Sequence, residues 1–125
     1  MIPTEHQEQV NLFTWVEVNQ HRYPDLAKMF AIPNGGDRHI VVAAKLKAEG
    51  VRKGVPDIFL PVARLDYHGM FIEMKRLERG RLSADQRLRL NQLHEDGYYC
   101  VVAYGWVHAV NVICVYLGIP ETIDD

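Results

Sequence analysis

Apolar and polar positions along the chain fall into eight segments with distinct periods. Val10, Leu12, Phe13, Trp15 and Val16 form a broad apolar stripe at helical spacing, ending near Asn19. Thr4 and Gln7, three residues apart, supply a capping box for its start. Pro24 interrupts the next stretch, and the short apolar run from Met29 to Ile32 reads as a strand. Pro33-Asn34-Gly35-Gly36 stops it with a turn signal. Asp37 then caps a second helix through Val41, Val42, Ala44 and Leu46 to Glu49, which Gly50 ends. A basic loop, Gly50 to Pro56, leads into a strand over Asp57–Val62. A turn at Asp66-Tyr67-His68-Gly69 makes a hairpin with a strand over Met70–Lys75. Ser83 opens a third helix, with Gln86 at the capping-box position, running to about Asp96. Tyr98–Tyr104 is a strand whose five consecutive apolar residues fit an interior place in a sheet, and Val107–Leu117 is a closing helix. The order α-β-α-β-β-α-β-α predicts an α/β sandwich, a mixed central sheet flanked by helices.

The 125 residues match one ordinary domain, so residues 1–125 are expected to fold around a single core. With 48% apolar and 24% charged residues, the composition is that of a globular protein, not a disordered tail. No apolar run approaches the length of a membrane span, and the polar, acidic first residues are unlike a signal peptide. Cys100 and Cys114 lack C-x-x-C spacing, which favours free thiols and a cytoplasmic protein. The net charge of −2 argues, taken alone, against a phosphate-bearing partner.

Candidate chemistry concentrates in Gly54-Val55-Pro56-Asp57 and Phe71-Ile72-Glu73-Met74-Lys75. Side chains alternate across a strand, so Glu73 and Lys75 share one face and Ile72 and Met74 the other. Hairpin pairing brings Asp57, at the start of the first strand, beside Glu73 and Lys75. Two converging carboxylates repel unless a cation lies between them, and oxygen ligands suit Mg²⁺ or Mn²⁺. An isolated E-x-K is ordinarily a surface salt bridge. Here a P-D and an E-x-K separated by 15 residues each fall on an expected strand.

In that context the chain resembles the PD-(D/E)XK nuclease superfamily, and more closely its VRR-NUC (viral-type replication and repair nuclease) family. The matching pieces are Thr4-Glu5 with Glu8-Gln9, Gly54-Val55-Pro56-Asp57, Ile72-Glu73-Met74-Lys75, Leu82-Ser83-Ala84-Asp85-Gln86, and Gly97-Tyr98. The resemblance implies a restriction-endonuclease-like sandwich and a Mg²⁺-dependent endonuclease acting on DNA. Asp57, Glu73 and the backbone carbonyl of Met74 would be metal ligands, and Lys75 the catalytic lysine. A glutamate of the first helix completes the acidic set; Glu5 matches the family position, and Glu8 one turn on stays open. Gln86 carries two readings, helix cap and catalytic-site residue. The resemblance also implies branched or junction DNA as substrate, a homodimer, and phage or prophage replication and repair in a bacterial host. A restriction-like nuclease on linear duplex and a catalytically inactive DNA-binding subunit are the alternatives.

Other features carry less. Six histidines are scattered without H-x-x-x-H spacing, which sets zinc aside. Asn34-Gly35-Gly36 lacks the ending of a phosphate-binding P-loop. Phe13, Trp15, Trp106 and Tyr116 fall at helical core positions, leaving Tyr23 and Tyr67 as weaker candidates for base stacking.

The charge itself resolves into two populations. Eleven of the 14 Lys and Arg, but only three of the 16 acids, lie in residues 38–53 and 75–89. These windows flank the Asp57–Glu73 region, where a phosphate-binding surface is wanted. Arg38, Arg52, Lys53, Arg76, Arg79 and Arg81 are therefore the candidate DNA contacts.

Overall fold

The computed structural model describes residues 2–33 and 40–120. Helix α1 (Glu5–Asn19) starts in the expected capping box: Thr4 Oγ1 accepts from the Gln7 N–H, and Gln7 Oε1 accepts from the Thr4 N–H. A 3-10 helix over Pro24–Lys28, not anticipated from the sequence, leads to strand β1 (Phe30–Ala31). Among the described residues helix α2 (Ile40–Ala48) packs extensively on no other helix or strand, and Val41 and Val42 are exposed on it. The Asp37 cap and the Asn34-Gly35-Gly36 turn lie outside the described residues.

Strands β2 (Ile58–Leu60) and β3 (Met70–Lys75) pair antiparallel, Ile58 opposite Ile72. The first is shorter than its apolar run because Pro61 has no N–H to continue the ladder. The tight turn falls at Leu65-Asp66, earlier than expected. Both have φ above zero, as a two-residue hairpin turn demands, and Arg64 and Tyr67 close it. After helix α3 (Ala84–Glu95), strand β4 (Tyr99–Tyr104) runs parallel to β3, and helix α4 (Trp106–Leu117) closes the chain.

Among the described residues the sheet order is β1-β2-β3-β4, so β4 is an edge strand and not the interior strand its sequence predicts. Its apolar run has another cause: α4 covers one face and α3 the other, so neither face needs polar residues.

The core lies between the sheet and the α1/α4 layer. Leu12 and Val16 of α1 and Val110, Ile113 and Tyr116 of α4 pack on Ile58, Leu60, Met70, Ile72 and Met74. Buried Tyr116 donates its hydroxyl hydrogen to the Val62 carbonyl at 2.6 Å. Phe13, Trp15 and Trp106 pack around this core while partly exposed. No helix among the described residues is long and apolar enough to cross a membrane. Cys100 and Cys114 are not joined in a disulfide.

Candidate active site

Alternation along β3 sends Ile72 and Met74 into the core and Glu73 and Lys75 to the opposite face. Both charged residues are nevertheless buried, Glu73 2% and Lys75 7% exposed. Burying charge is costly unless it is paired, and the partners come from three other elements. Asp57, just before β2, is tied to β3 because its Oδ2 accepts from the Met74 N–H at 2.8 Å. Gln86, in the first turn of α3, accepts from Lys75 Nζ at 3.1 Å through Oε1. Its Nε2 donates to Glu73 Oε2 at 3.3 Å. From α1, Glu5 Oε1 lies 3.6 Å from Lys75 Nζ.

These residues line a cleft of about 350 Å³ between the starts of α1 and α3, with Met74 in its wall. Sequence reasoning overlooked His6, Gln9, Val10 and Phe13, which line the α1 side. The available signal was Glu5-Gln9-Phe13, spaced four apart and hence on one helical face.

The two glutamates of α1 part company. Glu8 is 2% exposed and accepts from the Trp106 N–H at 3.2 Å through Oε1. It caps the N-terminus of α4, where Gly105 has no side chain to do so. A Cβ on Gly105 would come within 3.2 Å of Glu8 Oε2, so the glycine makes room for the carboxylate. Glu8 does not line the cleft, so of the two glutamates considered as metal ligands the structure brings only Glu5 to it. Three residues along a helix leave two side chains about 60° apart around its axis and about 4.5 Å apart along it, and that offset faces Glu5 to the cleft and Glu8 to α4.

Burial first, and the neighbouring Asp57 carboxylate second, push Glu73 up to about 9. Glu73 Oε1 is buried with no hydrogen-bond partner. Among the described residues no three or more His, Cys, Asp or Glu gather into a ready-made metal cage. The site instead holds a carboxylate pair with one orphaned oxygen, beside a third acid engaged with Lys75. A hard cation suits that donor set, since it would pair the orphan and offset the repulsion.

Both basic segments reach the rim of the cleft. The loop carrying exposed Arg52 and Lys53 passes tight against the start of α3. A Cβ on Gly54, whose φ is +77°, would sit 2.4 Å from the Asp85 carbonyl oxygen. Half-buried Arg76 directly follows Lys75, and the chain folds back so that a Cβ on Gly80 would lie 2.9 Å from Lys75 Cβ. Arg79 and Arg81, exposed, flank that glycine. Arg38 lies outside the described residues.

The family model of the VRR-NUC domain matches residues 4–106. The chain belongs to the VRR-NUC family. A solved structure described as a VRR_NUC domain protein superposes with a TM-score of 0.81 at 28% identity, covering 98% of this chain and 95% of that one. No curated protein matches the chain. Membership makes this a nuclease-type domain, and the VRR-NUC match spans every residue of the cleft, from Glu5 to Gln86. The expected α/β nuclease sandwich is thus the observed architecture.

Proposed function

We propose that the protein is a Mg²⁺-dependent endodeoxyribonuclease, with Mn²⁺ as a substitute, in which residues 1–125 form one catalytic domain. The observation that carries this reading is the pairing of buried Glu73 with half-buried Asp57, with a lysine and a glutamine tied into it. A binding-only module has no use for clustered acids beside phosphate.

Asp57, Glu73, the Met74 carbonyl and Glu5 would hold the ion. When bound, such an ion polarises a phosphoryl oxygen and lowers the pKa of water. The protein groups prepare the reaction around it. Lys75 presents its ammonium toward the space where charge builds on the phosphate, and burial strengthens that interaction. Gln86 fixes the separation of Lys75 and Glu73 by hydrogen bonding to both. Arg52, Lys53, Arg76, Arg79 and Arg81 neutralise the flanking backbone, so binding weakens steeply with salt.

The preferred substrate in this reading is branched or junction DNA, cut in the cytoplasm of a bacterial host during phage or prophage replication and repair. One domain offers one cleft, so cutting two strands symmetrically requires a homodimer. The test compares a synthetic four-way junction with matched linear duplex, in Mg²⁺ and in Mn²⁺, for wild type and Lys75→Ala. Wild type should cut, preferring the junction, and the variant should not. Binding without cutting in either metal would instead identify an inactive DNA-binding subunit.

A further inference from the structure

The face of the sheet that carries Glu73 also carries a line of aromatic rings. Strand register places Phe30, Phe59 and Phe71 side by side across β1, β2 and β3. Phe59 and Phe71 stack at 4.3 Å, and Phe30 meets Phe59 edge-on at 5.8 Å. Tyr98, just before β4, sets its ring against both Phe59 and Phe71, and exposed His68 packs on Tyr98 at 5.7 Å. Phe71 lies two residues before Glu73, and Phe59 two after Asp57. Phe59 and Phe71 therefore stand in the next row on the same face, about 6.6 Å along their strands from Asp57 and Glu73 and within one nucleotide's reach, and Phe30 extends that row to β1.

Helix α3 packs on β4, and among the described residues no helix packs extensively on the β1 end of this face, where Phe30 is 48% exposed. A large aromatic side chain held half in water at a sheet edge gains only part of the stabilisation that burial offers and adds an association hazard. The row contains no acid, so it does not repel a phosphate chain, and the basic segments at the cleft rim attract one. A nucleic-acid strand that leaves the cleft toward the β1 edge crosses this row. Every base offers a π-face to a ring, whatever its identity.

We propose that the row is a subsite for an unpaired nucleobase beside the scissile phosphate, with Phe30 as the ring on which it stacks. This rests on the nuclease reading and gives it a source of structure selectivity. A paired base is already stacked within its helix and cannot use the ring, whereas a base freed at a branch or splayed end can.

The test uses the full chain with Lys75→Ala, to prevent cutting. One DNA carries 2-aminopurine in an unpaired nucleotide at a duplex end, and a second is the fully paired duplex. Binding should quench the unpaired probe. Adding Phe30→Ala should weaken binding of the splayed DNA about tenfold and of the paired duplex less than about twofold, and Phe30→Trp should restore it. A thermal melt checks that the half-exposed site tolerates each change. Equal loss on both DNAs, or none on either, overturns the subsite alone. So does a shift from dimer to monomer in sedimentation without a base-dependent effect, which would assign the row to a second copy. If the parent chain binds no DNA of either form, the nuclease reading falls and the subsite with it.

Discussion

Helices α1 and α3 begin with the same device. Thr4 and Gln7 form a capping box in one, Ser83 and Gln86 in the other, with matching distances of 3.1 Å from the N3 N–H to the hydroxyl oxygen. At α1 the glutamine is exposed and, among the described residues, its side chain bonds to its cap alone. At α3 the same Oε1 that accepts from the Ser83 N–H also accepts from Lys75 Nζ, and Nε2 donates to Glu73. One local motif serves a helix end; its twin serves a helix end and a site together. What differs is the direction the glutamine faces: Gln86 lies over buried Glu73 and Lys75, whereas exposed Gln7 points away from the cleft and α1 meets it through Glu5 instead.

The largest effect separates the site from the scaffold. Lys75→Ala should lower cleavage of junction DNA by about 10²–10³-fold, the cost of deleting one preorganised transition-state partner. Single-turnover kinetics at saturating protein measures this, and circular dichroism melting should show a folded variant. A variant that cut at the wild-type rate would erase the difference between the two helix starts, because Gln86 would then be bonded to an idle lysine.

Next comes the acid that Gln86 holds. Glu73 titrates near 4.5 when unfolded and about 9 in the folded chain, so the folded state binds the extra proton between those values. Its contribution is therefore fully present below about pH 4.5 and is lost as pH rises toward 9. Metal-free protein should melt at progressively lower temperature across that window, and Glu73→Gln should flatten the slope. Mg²⁺ added at pH 8 should raise the melting temperature of wild type and not of the variant. A pH-independent wild-type melting curve would mean that Glu73 is ionised without cost.

The third effect concerns the other glutamate of α1. Glu8→Ala leaves the Trp106 N–H without its acceptor and removes a carboxylate from the start of α4, a loss of about 1–3 kcal/mol in urea unfolding. Mn²⁺ affinity by calorimetry should hold for Glu8→Ala and fall for Glu5→Ala. The reverse pattern would exchange the two roles.

Much of this arrangement was legible in the residues and some was not, for physical reasons. Helix starts at Thr4 and Ser83 were readable because a cap is a local hydrogen bond written in four residues. The faces of β3 were readable because strand period is fixed. The edge position of β4 was not, since an apolar run reports that both faces are covered and not how many neighbours a strand has. The fate of Glu8 was hidden for a similar reason. It depends on α4, 98 residues away, and on the missing side chain of Gly105. Gln9 stood in the matched helix motif without a role of its own, and His6 and Phe13 carried only a helical spacing that core residues share.

The smallest effect tests the comparison most directly, because it asks whether the two glutamines differ at all. Gln7→Ala and Gln86→Ala each remove half of a capping box, and each should cost up to about 1 kcal/mol in urea unfolding. On stability the two variants should be nearly alike. On cleavage they should diverge: Gln86→Ala should lower the rate about 10–100-fold, as loss of an outer-shell partner does, while Gln7→Ala should leave it unchanged. Gln86→Glu sharpens the point, since it keeps an acceptor for Lys75 and the cap but sets a carboxylate against Glu73. Its rate should fall with its cap intact. Equal rates for the alanine pair would reduce Gln86 to a helix cap that happens to lie near two charges.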